Sequence, residues 1–198
     1  MKNSYRFACL LFSFLLAGCA TKSTLVTLYD LGPLRPAIAT TGLPPLAMAD
    51  PVGSAFLDNP LMFYRLAYAN DQQPQPFAAS RWAMPPAQLL GQRFKARLGQ
   101  IGSTVVSAAD GAINVPVLRL ETDDFAQVFD SPAHSMVQVT MRVAVFNGRI
   151  LLAQKSFTQQ RPTISPDAAG GARALAETSD ALITDVIAWL ATLPLTKR

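Results

Sequence analysis

The sequence predicts an α+β domain in which a largely antiparallel β-sheet is covered by two helices. Apolar and polar residues alternate over His134–Phe146, which is typical of a strand with one buried face. Asn147-Gly148 follows directly and is the strongest hairpin signal in the chain, so residues 150–157 should return antiparallel. A continuous apolar stripe at helical spacing, starting near Asp167, predicts a long C-terminal amphipathic helix. Two helices on such a sheet define the α+β class.

Residues 1–18 have the layout of a lipoprotein signal peptide. A positively charged start is followed by an apolar run over residues 7–16 that is too short to span a bilayer. The junction Leu16-Ala17-Gly18-Cys19 resembles a lipobox, in which the chain is cut before the cysteine and lipid is attached to its thiol. We therefore expect cleavage between Gly18 and Cys19 and lipidation of Cys19. The alternative is an ordinary signal peptide that ends near a cysteine.

Residues 19–24 are predicted to form the lipidated N-terminus and a short tether. The six residues from Cys19 to the first strand-like residue, Leu25, span at most about 20 Å, so the domain should lie close to its membrane. Ala20 stands where aspartate is the usual inner-membrane retention signal in enteric bacteria, which favours the periplasmic face of the outer membrane. Cys9 leaves with the signal and Cys19 carries lipid, so no disulfide is expected.

Residues 25–198 are interpreted as a single domain without internal repeats. The chain has 17 basic and 13 acidic residues, and removal of Lys2 and Arg6 with the signal leaves 15 against 13, a net charge of +2. So small an excess gives no reason to expect a nucleic-acid partner. No stretch after the signal is apolar enough to cross a membrane.

The first part of this domain should contain short strands separated by turns that are rich in proline and glycine. The predicted strands are residues 24–31, 46–52, 61–68 and 77–82.

A helix should open at Pro85-Pro86, because proline suits the first helical turn. Its core-facing residues are expected to be Leu90, Phe94, Leu98 and Ile101. The nearby basic cluster is interpreted as a solvated face; it comprises Arg93, Lys95 and Arg97. The next strand, over residues 115–129, should be irregular near Asp123-Asp124.

The residues offer no obvious basis for a histidine-based metal site, a Ser/His/Asp triad or a cofactor, whereas a Ser/Lys arrangement is left open. His134 is the only histidine, and we interpret it as structural. Asp123 and Asp124 are adjacent in a strand and would point to opposite faces, which makes them a poor acid–base pair. No dinucleotide or phosphate-binding glycine motif is present. We therefore predict that the protein is not an enzyme; a lipid-anchored hydrolase would lack a recognisable site.

Three stretches, taken in order, carry a family resemblance. They are Leu57-Asp58-Asn59-Pro60-Leu61-Met62-Phe63-Tyr64-Arg65, Ser80-Arg81-Trp82-Ala83-Met84-Pro85-Pro86 and Leu120-Glu121-Thr122-Asp123-Asp124-Phe125-Ala126-Gln127-Val128-Phe129-Asp130-Ser131. Together with Tyr29 and the C-terminal helix, they resemble the ABC-type transport auxiliary lipoprotein family, which includes the paraquat-inducible protein C lipoproteins. The resemblance covers nearly the whole mature chain.

The resemblance implies a non-catalytic role beside an intermembrane lipid transport system. Such a system has an ABC permease, a cytoplasmic ATPase and a periplasmic subunit with MCE (mammalian cell entry) domains, which the lipoprotein is thought to dock at the outer membrane. Self-association into a homo-oligomer is left open. An envelope assembly lipoprotein, such as a pilotin or an activator of peptidoglycan synthesis, is the alternative function.

Arg81 and Trp82 are the candidate partner interface, since both residue types are favoured at interface hot spots. The alternative places Trp82 in the core with Arg81 stacked nearby.

Overall fold

The computed structural model describes residues 25–36 and 42–195. Gly18, Cys19 and the tether over residues 19–24 lie outside the described residues, so their cleavage, lipidation and tether roles stay predictions. The strands are β1 (Thr27–Tyr29), β2 (Leu46–Met48), β3 (Val52–Gly53), β4 (Leu61–Leu66), β5 (Asn70–Trp82), β6 (Val105–Ser107), β7 (Val117–Ser131), β8 (His134–Asn147) and β9 (Ile150–Pro162). The helices are α1 (Pro86–Gln100) and α2 (Ala168–Leu190), with short 3-10 turns at Ala55–Leu57 and Ala108–Asp110.

Strand β7 organises the sheet over the described residues. One of its edges pairs with β8 along its whole length in antiparallel register, and β8 pairs with β9 in the same way. Its other edge pairs in turn with the short strands β2, β3 and β4, all parallel to it. β5 pairs antiparallel with β4 and parallel with β1, and β6 pairs parallel with β2 at the edge of the sheet. The α+β class is confirmed, with long antiparallel strands and short parallel ones in one mixed sheet.

Both helices cover the same face of this sheet. Alternate residues of β8 are fully buried, as the sequence pattern predicts; they are Val137, Val139, Met141, Val143 and Val145. Leu90, Phe94 and Leu98 of α1 and the predicted stripe of α2, with Leu182 and Ile183 at its centre, complete the core. The opposite face of the sheet is polar, with Gln138, Thr140 and Arg142 of β8 only partly buried. None of the helices among the described residues is long and apolar enough to cross a membrane.

Two local features of the strands refine the sequence analysis. The pairing of β7 with β8 shifts between Thr122 and Asp124, where the irregularity was expected, and the buried positions change phase there. β5 begins at Asn70 rather than near Phe77, so Pro74 and Pro76 lie within a strand. The pairing of β5 with β4 shifts on both sides of the Phe63–Pro76 and Tyr64–Gln75 pairs, and proline is tolerated at such irregular positions.

Candidate functional site

Two arginines of α1 form ion pairs with one aspartate of α2. Arg93 donates from Nε to Asp180 Oδ1 at 2.8 Å and from Nη2 to Oδ2 at 2.7 Å, a two-bond fork. Arg97 adds an ion pair from Nη2 to Asp180 Oδ1 at 3.2 Å. Both arginine side chains are buried. The cluster therefore joins the two helices at the edge of the core.

The same arginines hold the N-terminal segment against the helices. Arg93 Nη1 donates to the carbonyl of Gly32 at 2.7 Å, and Arg97 Nη1 donates to the carbonyl of Arg35 at 2.8 Å. The interpretation of Arg93 and Arg97 as a solvated face is thus wrong; only Lys95 of that group is exposed. Each guanidinium binds a carboxylate and a carbonyl, which offsets part of the cost of its removal from water; Arg97 Nε is buried without a hydrogen-bond partner.

Asp180 is held as a carboxylate by this arrangement. Burial opposes its ionisation, but the hydrogen bonds and positive charges of Arg93 and Arg97 outweigh burial, so the pKa of Asp180 lies below its usual value. A carboxylate stabilised in this way is a poor proton donor or acceptor near neutral pH. We interpret Asp180 as a structural anion.

A groove lies between the N-terminal segment and α2, above the arginine cluster. Its volume is about 570 Å³, and its lining residues are Leu28, Tyr29, Asp30, Leu31, Gly32, Pro33, Arg35, Ala83, Arg93, Ala169, Ala172, Arg173, Ala176, Glu177 and Asp180. Arg35 pairs with Glu177 across it at 3.3 Å. These described lining residues include no serine, cysteine, histidine or lysine. The groove therefore offers a binding surface of paired charges and small apolar side chains, without a nucleophile beside a base.

The structure separates the two residues of the candidate partner interface. Trp82 is 1% exposed, and its ring meets Phe125 edge-on at 5.3 Å between centroids, so its side chain belongs to the core. Arg81 is half-buried, and its guanidinium donates to the carbonyls of Phe77 and Ser80 in its own strand. Of the pair, only Arg81 is accessible to a partner.

The stretch around Trp82 joins three elements. The backbone N–H of Trp82 donates to the Pro60 carbonyl at 2.8 Å, and that of Ala83 donates to the Tyr29 carbonyl at 2.7 Å. Pro86 then opens α1. This motif thus fixes β1 and the entry to β4 against the start of the first helix, which gives it a structural role.

Other polar residues singled out in the sequence are also held in structural contacts. His134 lies exposed at the β7–β8 turn, where its Nδ1 is 3.1 Å from Ser131 Oγ. Asp123 pairs with Arg142 at 3.0 Å, whereas Asp124 accepts a hydrogen bond from Gln138 at 2.8 Å. Burial raises the pKa of Asp124 above its usual value despite that hydrogen bond. Among the residues that the structure describes, no group of three histidine, cysteine, aspartate or glutamate side chains could hold a metal.

Comparison with known proteins places the chain in a family. Residues 27–187 match the model of the ABC-type transport auxiliary lipoprotein component family. The chain belongs to this family. The family resemblance seen in the sequence is thereby confirmed over nearly the whole described domain.

Solved structures share the fold of this family member. Protein XCC0632 from Xanthomonas campestris, assigned to the family model DUF330, superposes with a TM-score of 0.67 at 18% identity over 82% of this chain and 94% of its own. A second, described as an uncharacterized protein, gives a TM-score of 0.65 at 15% identity over 84% of this chain and 99% of its own. At these identities the likeness shows the fold alone. A search of curated proteins gives no match.

Proposed function

We propose that this protein is a non-catalytic, lipid-anchored subunit that docks the periplasmic component of an ABC/MCE-type lipid transport system. The family match over residues 27–187 carries the proposal, because that family is described as an auxiliary lipoprotein component of ABC-type transport. The lipobox-like junction that ends at Cys19 supports a lipid anchor, and Ala20 favours the outer membrane, facing the periplasm. The groove's paired charges and its lack of nucleophiles among the described residues fit binding better than catalysis.

The end of the sheet where β8 meets β9, here called the hairpin end, is the proposed docking surface. Three consecutive apolar residues are exposed there, namely Ile150, Leu151 and Leu152. Ile113, in the connection before β7, is also exposed. The pairing of Val117 with Phe146 places the start of β7 at this same end. Several exposed apolar side chains at one end of a folded domain are typical of a protein–protein contact.

The anchor is tested by substitution of each leader cysteine. Cys19→Ser should abolish acylation and leave the precursor uncut, whereas Cys9→Ser is the matched control and should be processed like the wild type. Mass spectrometry of the mature N-terminus checks both. A mature protein that begins at another residue, without lipid, would contradict the anchor.

Docking is tested by co-purification from solubilised membranes. Leu151→Asp should reduce recovery of the periplasmic partner by roughly tenfold or more, since a charge would be buried at the contact. Gln154→Asp lies on the same strand, is also exposed and should have little effect. Equal recovery with both variants would exclude the hairpin end.

Arg81→Ala examines the earlier interface candidate. Loss of partner binding with an unchanged melting temperature would assign Arg81 to the interface. If partner binding and melting temperature fall together, Arg81 supports β5, where it binds two carbonyls.

His134→Ala should retain full transport activity, because a docking subunit needs no imidazole for proton transfer. A folded but inactive variant would favour an enzyme.

A further inference from the structure

We infer that the end of the sheet opposite the hairpin end rests directly against the lipid bilayer that holds the anchor. This turn end comprises the β4–β5 turn (residues 67–69), the β7–β8 turn (residues 132–133) and the β9–α2 connection (residues 163–167). The inference rests on the proposed lipidation of Cys19, and it adds a contact surface and an orientation to that anchor.

Backbone contacts place the three connections at one end of the sheet. The N–H of Ala67 donates to the Phe129 carbonyl at 2.8 Å, which sets the β4–β5 turn beside the end of β7. Ser131 pairs with His134 across the β7–β8 turn. The N–H of Thr163 donates to the Ser135 carbonyl at 2.9 Å, so the β9–α2 connection lies at the same level.

The N-terminal segment leads toward this end. β1 runs parallel to β5 with Thr27 opposite Ser80, so continuation of the register places Leu25 beside Ala78. Ala78 lies opposite the part of β4 between Leu61 and Phe63, which is roughly five strand residues, or about 17 Å, short of the β4–β5 turn.

The tether length matches this separation. Six residues from Cys19 to Leu25 extend at most about 20 Å, so Cys19 can reach the plane of the turns and little further. Lipid chains inserted at Cys19 would therefore draw the turn end to the surface of the bilayer. The hairpin end would face away from it, since β7 alone spans about 45 Å between the two ends.

The exposed side chains of the turn end suit the boundary between headgroups and acyl chains. Tyr68 is 49% exposed and Ile164 is 81% exposed; Leu25, on the path of the chain toward this end, is 89% exposed. Tyrosine is enriched at membrane–water interfaces, and a shallow insertion of apolar side chains stabilises membrane contact.

Electrostatic attraction is not the source of this contact. Asp71, Asp130 and Asp167 are exposed at or next to the turn end, against Arg65 and Arg161 on the adjoining strand ends, so there is no positive excess to attract anionic lipids. The lipid anchor must therefore provide the affinity, while Tyr68 and Ile164 set the orientation.

Fluorescence quenching by labelled lipids tests this orientation. The full-length, processed protein carrying Tyr68→Cys, Ile164→Cys or Ile150→Cys is labelled with a fluorophore at the introduced thiol. Each sample is reconstituted into vesicles of phosphatidylethanolamine and phosphatidylglycerol that contain a lipid spin-labelled near its headgroup. Ile150 is a matched control, because it is an exposed isoleucine (68%) at the hairpin end.

Quenching at positions 68 and 164 should be several-fold stronger than at position 150. Equal, weak quenching at all three positions would overturn the inference while leaving the anchor and the docking role intact. Stronger quenching at position 150 would reverse the orientation. Absence of lipid from Cys19 by mass spectrometry would remove the anchor and this contact together, and partner co-purification would then test docking separately.

Discussion

Two clusters of arginine and carboxylate residues lie on opposite faces of the sheet and differ in burial. On the helix-covered face, Arg93 and Arg97 share Asp180, with both arginine side chains less than a tenth exposed. On the open face, Arg142 of β8 bridges Glu121 and Asp123 of β7 at 2.9 and 3.0 Å, with all three side chains about a third or more exposed. The ion-pair distances are alike, but the buried cluster has two arginines around one carboxylate, whereas the open cluster has one arginine between two carboxylates.

The comparison indicates that burial, and the number of elements a cluster connects, determine how much an ion cluster contributes to stability. The buried cluster links α1, α2 and two carbonyls of the N-terminal segment, so loss of one member leaves other charged groups without partners. The open cluster links two strands that are already paired along their length, and water can replace any lost contact. We therefore expect variants of the first cluster to be costly and variants of the second to be nearly silent.

The largest effect should come from Asp180→Ala. This change leaves Arg93 and Arg97 positively charged, buried and without a counterion, and breaking such a pair costs about 3 kcal/mol or more in the free energy of unfolding. Chemical denaturation measured beside Glu121→Ala provides the comparison. Equal stability of the two variants would mean that burial does not distinguish the clusters.

Acid should weaken the buried cluster selectively. The pKa of Asp180 is below its usual value in the folded protein. Its contribution to the free energy of unfolding is therefore fully present above about pH 4 and is lost as the pH falls through the lower, folded-state pKa. Asp167 also has a lowered pKa, chiefly because it accepts the Gly170 N–H at the start of α2. The free energy of unfolding is measured against pH for the wild type and for Asp180→Asn, and the difference between the two curves gives the contribution of the buried cluster. A difference that stays constant from pH 5 to pH 2 would contradict the lowered pKa of Asp180.

Much of the fold could be predicted from sequence because its long elements have clear periodicity. The alternation along β8, the Asn147-Gly148 turn and the apolar stripe of α2 each repeat a local rule many times. The short parallel strands β2, β3 and β6 have only two or three residues, and their pairing with distant segments leaves no periodic signal. β2 and β3 pair with the edge of β7 that does not pair with β8, and β6 pairs with β2.

The burial of Arg93 and Arg97 could have been predicted from spacing, but the cluster that they form with Asp180 could not. Arg93 lies three residues after Leu90, and Arg97 three after Phe94, so both follow the helical spacing of the buried stripe. Their charge suggested a solvated face, but the partner needed to bury them, Asp180, lies 87 residues away in sequence from Arg93. Local sequence patterns do not show which residue so distant in sequence will be the partner. The groove above the cluster was missed for the same reason.

Arg97→Lys should have an intermediate effect that separates charge from geometry. Lysine keeps the positive charge near Asp180 but loses the planar fork with which Arg97 also reaches the Arg35 carbonyl and Gln100 Oε1. We expect a loss of about 1 to 2 kcal/mol in the free energy of unfolding. Arg142→Lys, on the open face, is the matched control and should be close to neutral. If both lysine variants match the wild type, charge alone holds the buried cluster.

Among the variants that remove a charge, the smallest effect should come from Arg142→Gln. The change removes both ion pairs of the open cluster, yet exposed pairs contribute only about 0 to 1 kcal/mol each, and Glu121 and Asp123 can both be hydrated once the arginine is gone. Salt should shrink even this difference, because at about 1 M ionic strength the screening length falls to about 3 Å. Thermal unfolding of Arg142→Gln and the wild type at low and high salt checks both points. A destabilisation as large as that of Asp180→Ala, and insensitive to salt, would mean that Arg142 packs against the open face through its aliphatic stem and that the two clusters are not opposites.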